Sequence, residues 1–239
     1  MPDTKHHSGS VEMFRGSSDI NLSQQGREEA HEVAKATKGR FSMIFASPLK
    51  RAQETAKIVQ DTNPKATIKT VDALEPWFLG HHEGEKVTPE RVADLNRRIK
   101  EAPDEKIPGK GKKSIGEGES FNDFKDPLIK HVQRLISLFD PSRKILNVTH
   151  YRDIQAIKSW LAAGANKDRS IDVDEMTHKG SQKPGALYVL KVPSLNFQEV
   201  KHADGNGIYF LRHGATEWNG ENGTGPSPNT EPDETSEKR

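Results

Sequence analysis

"GIYFLRHGATEWN" (residues 207–219) joins a run of four apolar side chains, Ile208 to Leu211, to Arg212, His213 and Gly214. A short apolar run after glycine has the length of a buried strand. In open α/β sheets, ligands bind beyond the carboxyl ends of the strands, so a cation, an imidazole and a glycine at that point need a reason. Two other short apolar runs finish in the same way. "MIFAS" (43–47) is followed one helical turn later by Lys50 and Arg51, and "KILNVT" (144–149) is followed at once by His150. Three strands therefore deliver arginine and histidine to one sheet edge, with no carboxylate among the leading residues.

Such a cationic cup suits a tetrahedral dianion. Guanidinium groups grip phosphate oxygens through paired, charge-assisted hydrogen bonds that lysine cannot reproduce. Gly214 permits close backbone approach to a ligand, and the helix start after Ala46-Ser47 is expected to add amide donors. Two histidines can divide the work, one imidazole attacking phosphorus and the other donating to its oxygens. Alone, either histidine reads as a structural residue and Arg51 as a solvated helix charge. Their coincidence at three strand ends favours an anion site.

The bulk composition makes that attraction local. Thirty-six Lys and Arg against thirty-five Asp and Glu leave the chain near neutral, which gives no global pull toward nucleic acid or an anionic membrane. The 239 residues suffice for one large domain, although an apolar content of 32% and a mean hydropathy of −0.83 show long polar segments diluting the core. Without cysteine there are no disulfides, thiolate metal sites or cysteine nucleophiles. The opening "MPDTKHHSGSVEM" lacks an apolar signal region, and no stretch approaches the ~18 apolar residues of a membrane span. The expectation is a soluble, cytoplasmic protein with no nucleic-acid or membrane partner.

Capping residues and periodicity predict helices over 21–39, 48–62, 88–101, 121–140 and 151–164. Strands are predicted at 40–47, 66–74, 143–149, 185–192, 196–202 and 207–211. Residues 1–13 read as an irregular arm and 220–239, rich in Pro, Gly, Ser, Thr and Glu, as a disordered tail; 14–219 form a single domain. Strand–helix alternation argues for a three-layer α/β/α sandwich around a mostly parallel central sheet.

"LRHGATEWN" (211–219) resembles the signature of the histidine phosphatase superfamily, which includes cofactor-dependent phosphoglycerate mutases and many phosphatases. "FRGSSDINLSQQGREEA" (14–30) resembles the segment that follows that signature, "ASPLKRAQETA" (46–56) the second arginine motif, "GES" (118–120) a mid-chain motif and "VTH" (148–150) the second histidine. The order differs, because in that family the Arg-His-Gly strand comes first. Reading 207–219 and then 14–206 restores it, as in a circular permutant of a phosphoglycerate mutase-like fold. The old ends would join through "HADGNG" (202–207), and residues 1–13 and 220–239 would hang from one loop near the pocket mouth.

By this resemblance His213 is the nucleophile that becomes phosphohistidine, and Arg212, Arg51 and His150 bind the phosphoryl oxygens. Asn219 matches the signature asparagine and Thr216 lies where a hydroxyl often touches phosphate, so both join Gly214 as candidate substrate contacts. The general acid fits less well. The family's Leu-x-Glu, Gly and Glu-Gly align with "LEPWFLGHHEG" (74–84) at Gly80 and Glu83-Gly84, which puts Pro76 in the acid's position. Glu75, one residue early, is the first candidate; Glu83 is the second, and Asp153, which also suits a helix cap, the third. His81, His82 and Glu83 resemble a metal cluster, but neighbours in a loop seldom converge on one ion and further ligands are not apparent. His6 and His7 belong to the arm.

Lys106, Lys110, Lys112 and Lys113 read by residue type as a solvated loop. They sit where the family places a substrate-covering insert, which implies a second anionic group on the substrate. The implied activity is metal-independent hydrolysis of a small phosphomonoester without a cofactor. A phosphoglycerate mutase and a non-catalytic phosphate-binding module are the alternatives.

Overall fold

The computed structural model describes residues 13–110, 116–178 and 182–216. Most of the arm, the whole tail, Asn219, Lys112 and Lys113 lie outside the described residues. Helix α1 (Gln24–Ala36) starts where the Ser23 hydroxyl accepts from the Gly26 amide at 3.1 Å. Strand β1 (Met43–Ala46) leads to α2 (Lys50–Asp61), which opens two residues after Pro48. Strand β2 (Thr67–Thr70) is shorter than the predicted 66–74, because Asp72–Leu74 tighten into a 3₁₀ turn. Helix α3 (Pro89–Glu101) has Thr88 as its cap and proline at its first position, where the missing amide costs nothing. Helix α4 (Phe121–Ser137) carries a reciprocal cap between Ser120 and Asp123.

Strand β3 (Ile145–Thr149) runs directly into α5 (Tyr151–Ala162). A short α6 (Val173–Thr177), too brief to show periodicity, was not predicted. Strands β4 (Leu187–Lys191), β5 (Asn196–Val200) and β6 (Ile208–Arg212) complete an α/β fold. The single six-stranded sheet has the order β2-β1-β3-β6-β4-β5; β2, β1, β3 and β6 are mutually parallel and β4 runs against both its neighbours.

All of β6 is buried, as its uninterrupted apolar run requires for a parallel strand covered on both faces. Successive residues of a strand point to opposite faces. Ile208 and Phe210 join one apolar cluster with α3, α4 and α5, whereas Tyr209 and Leu211 join another with α1 and α2. Among the described residues no helix is long and apolar enough to cross a membrane.

The register decides what the strand ends share. Ala46 lies opposite Val148, Val148 opposite Leu211, and Thr149 opposite Arg212. The next residues along these three chains, Ser47, His150 and His213, therefore emerge at nearly one height.

Candidate active site

His213 continues the β6 ladder by donating its amide to the Thr149 carbonyl at 3.1 Å. Its Nδ1 lies 2.6 Å from the Gly214 carbonyl oxygen. Only an N–H satisfies a carbonyl, so the proton belongs on Nδ1 and the lone pair on Nε2. The Arg51 Nε donates to that Nε2 at 3.2 Å. His150 Nε2 meets the Ser47 hydroxyl at 2.8 Å, and the two imidazole centres lie 5.0 Å apart. Among the described residues His150 Nδ1 is buried without a hydrogen-bond partner.

Arg51 is 2% exposed, and its other nitrogens donate to the Ser18 carbonyl and, at 2.9 Å, to the Gly16 carbonyl. Burial lowers its pKa to about 10 against the opposing pull of Asp19, which leaves it charged at neutral pH. Arg212 donates to the Gln182 carbonyl, and its guanidinium carbon lies 5.3 Å from the centre of the Tyr151 ring. Burial and then Arg51 hold the His213 and His150 imidazoles well below the ordinary histidine range, so both are neutral at neutral pH.

These groups close one end of a cavity of about 600 Å³. Trp77, Leu79, Val92 and Leu95 supply apolar wall, and Arg15, Tyr151 and Arg152 add polar groups. Among the described residues no aspartate or glutamate lines it. Arg51, His150, Arg212 and His213 thus converge as the three strand ends suggested.

Glu75 requires correction. Pro76 and Trp77 line the cavity while the exposed Glu75 does not, since one residue of offset in extended chain turns a side chain to the other side. Glu83 is buried instead beneath residues 16–18. Its Oε1 accepts from the Ser17 amide at 2.7 Å, the Ser17 hydroxyl at 2.9 Å and the Leu79 amide at 3.1 Å. Gly16, at φ +45°, leaves no room for a Cβ, which would sit 2.1 Å from that oxygen. Glu83 therefore holds the loop whose carbonyls hold Arg51. Asp153 takes the capping role. Its Oδ2 accepts from the His150 amide at 3.0 Å and from the Thr149 hydroxyl, and burial pushes its carboxyl well above the carboxylate range.

Other expectations shift with the packing. The close approach at Gly214 is made by α1, because a Cβ there would lie 2.1 Å from the Gly26 carbonyl oxygen. The first amide of α2 does not face a ligand; Lys50 N donates to Asp19 at 2.7 Å. Thr216 is buried and accepts from the Arg15 guanidinium at 3.3 Å, one step behind the cavity. Lys106 pairs with Glu117 at 3.5 Å and Lys110 with Glu85 at 2.7 Å, both off the cavity wall.

His81 and His82 do find a third potential ligand in Asp94 of α3, all within 4.8 Å of one another. Asp94 already accepts from His82 at 3.0 Å, Arg98 at 3.0 Å and Arg97 at 3.3 Å, and those guanidiniums oppose an added cation.

The family model described as histidine phosphatase superfamily (branch 1) matches residues 4–179. The chain belongs to the histidine phosphatase superfamily. Phosphoglycerate mutase-like protein 4 of Arabidopsis thaliana is 28% identical over 168 residues, covering 66% of this chain and 67% of that protein. An uncharacterized phosphatase, PhoE of Bacillus subtilis, is 26% identical over 151 residues, covering 63% of this chain and 69% of that protein. The solved mycobacterial glucosyl-3-phosphoglycerate phosphatase shares the fold at a TM-score of 0.55 and 18% identity, covering 84% of this chain and 95% of that one. In this member of the superfamily, Arg15, Ser47 and Tyr151 join the site although sequence reasoning did not single them out. Arg15 stands in the quoted "FRG" run, and Ser47 ends a strand already chosen for its position.

Proposed function

We propose that this histidine phosphatase superfamily member hydrolyses small phosphomonoesters through a phosphohistidine on His213, with neither metal nor cofactor. The Nε2 lone pair attacks phosphorus, a P–N bond forms, and the ester P–O bond breaks with its electrons on the departing oxygen. Water then attacks phosphorus, the P–N bond breaks, and inorganic phosphate leaves. Arg51 and Arg212 stabilise the charge on the phosphoryl oxygens, and His150 Nδ1, with no hydrogen-bond partner among the described residues, is the donor assigned to one of them.

The observation carrying this reading is the pairing at His213, with Nδ1 tied to a carbonyl and Nε2 facing a guanidinium. The same Arg51 contact places a cation beside the nitrogen that an incoming dianion would approach. With no carboxylate on the described wall, departure relies on weakly basic leaving groups, so phenolates are favoured over alkoxides. The missing carboxylate equally favours a second reading, a phosphate-binding module without turnover.

p-Nitrophenyl phosphate separates them. Turnover that persists in EDTA, disappears in His213→Ala and leaves acid-labile phosphate on the wild-type chain after rapid quench supports the enzyme. Binding of phosphate without turnover of any phosphomonoester supports the module. Phosphoryl transfer on 3-phosphoglycerate that depends on 2,3-bisphosphoglycerate would instead identify a mutase.

We further propose a circular permutation of a three-layer sandwich. In its support, the segment 14–30 packs where it would follow the signature directly. Leu22 bridges Thr216, the Ser23 amide donates to the Ala215 carbonyl at 3.0 Å, and the Ala215 amide donates to Glu29 at 2.7 Å. The two apolar clusters reached by alternate residues of β6 support the layering. A gene rearranged to place 207–219 ahead of residue 14 is expected to yield an active protein. A rearranged chain that cannot fold would count against the permutation.

A further inference from the structure

Lysines at 106 and 110 are matched by acids away from the cavity, and Lys112 and Lys113 lie outside the described residues, so the second-anion expectation turns to the cations that line the cavity. Arg152 meets it. This second residue of α5 lies two positions after His150, is half-buried and lines the cavity. Its NH1 donates to Gln155 Oε1 at 3.0 Å. Among the described residues it pairs with no carboxylate, and none lines the cavity it borders. Its guanidinium carbon is 5.9 Å from the centre of the Tyr151 ring, whose centre also lies 5.3 Å from the Arg212 guanidinium carbon. The two cations thus share one aromatic neighbour, Arg212 from the end of β6 and Arg152 from the first turn of α5.

A guanidinium drawn partly out of water costs free energy unless an anion or hydrogen bonds offset it. Here the described residues supply one neutral acceptor. We infer that Arg152 anchors a second anion, a carboxylate or phosphate on the organic part of the substrate. Trp77, Leu79, Val92 and Leu95 on the wall of the same cavity suit an aromatic or hydrocarbon body in the substrate. The substrate class is then a phosphomonoester with an apolar body and a second acidic group. This inference rests on the phosphatase reading for the identity of the first anion.

The test compares 4-carboxyphenyl phosphate with phenyl phosphate in the wild-type chain, Arg152→Gln and Arg152→Lys. Each variant's ratio to wild type on the same substrate cancels the difference in leaving group. Arg152→Gln is expected to lower kcat/KM for the carboxylated substrate roughly ten- to a hundredfold, mostly through KM. Phenyl phosphate should change less than about threefold, and Arg152→Lys should retain part of the preference because a point charge remains. Equal losses on both substrates, or no loss on either, would overturn the anchor while leaving the phosphatase standing. Should wild type hydrolyse neither, the phosphatase reading fails, and calorimetric titration of the same two compounds still decides the anchor. Tighter binding of the carboxylated compound that vanishes in Arg152→Gln supports it; equal affinities refute it.

Discussion

The three strand ends and the segment 74–84 were both read for catalytic residues, and the outcomes differ for a physical reason. At the strand ends, side-chain direction is set by a hydrogen-bonded register that runs through β1, β3 and β6. A residue named there has few places to go. The segment 74–84 has no ladder, being a 3₁₀ turn, an extended stretch and a second 3₁₀ turn at Gly80–His82. There a displacement of one residue exchanges Glu75 for Pro76 at the cavity wall, and the acid leaves the site. Regular hydrogen bonding fixes side-chain direction at the cup, and its lack in the segment 74–84 leaves side-chain direction there to the packing of a loop.

The largest effect should come from disturbing the registered part. Arg51→Lys keeps the charge but removes the Nε donor to His213 and the two donors to Gly16 and Ser18. We expect kcat/KM on p-nitrophenyl phosphate to fall by roughly 10² to 10³, less than the ~10³ to 10⁵ attributed to a whole arginine in phosphoryl transfer because the charge is kept. A loss below fivefold would mean that charge alone, not the fork, serves the reaction.

The opposite change should add to the unregistered part. Pro76→Glu puts a carboxyl on the cavity wall at the position from which the family's acid is displaced. Turnover of alkyl phosphates such as glycerol 3-phosphate is expected to rise by about ten- to a hundredfold, with p-nitrophenyl phosphate little changed, because only the basic leaving group needs a proton. Parallel changes on both substrates would show that the wall at 76 does not face the leaving oxygen.

A smaller effect tests the electrostatics of the cup. The His213 pKa is depressed in the folded protein, by burial first and then by Arg51, relative to ~6.5 in the unfolded chain. The unfolded state therefore binds more protons as pH falls below ~6.5, and stability is lost in that direction. His213→Gln should flatten the decline in the denaturation midpoint between about pH 7 and pH 5 relative to wild type. An identical decline in both, or a ring that titrates near 6.5 by NMR, would show that His213 is solvated as in a peptide.

How much was legible follows the same division. Every strand and the five longer helices have signals in local sequence: apolar runs, Ser23, Thr88 and Ser120 as caps, Pro89 at a helix start. The shared edge followed from noticing what succeeds each run. Contacts that depend on tertiary packing were not legible. Gly214 looked like a ligand contact because its need for space is visible but the neighbour that fills the space, Gly26, is 188 positions earlier in the chain. Glu83 looked like a possible acid because a carboxylate is visible and its burial under Ser17 is not. Arg152 carries no motif at all; its meaning lies in having no acidic partner among the described residues, which only the packed chain reveals.

The smallest expected effect closes the comparison from its weaker side. Glu75 is exposed, is missing from the cavity wall and sits one residue from a proline that occupies the useful position. Glu75→Gln removes its charge with almost no change of shape, so kcat/KM on p-nitrophenyl and alkyl phosphates alike should shift by less than about twofold, the scale of an exposed surface charge. The alkyl substrates are the sensitive arm, since an acid matters most where the leaving oxygen is most basic. A loss of tenfold or more confined to them would mean that the loop swings Glu75 into the cavity when substrate is bound, and that a segment without a ladder can recover by motion what it lacks in register.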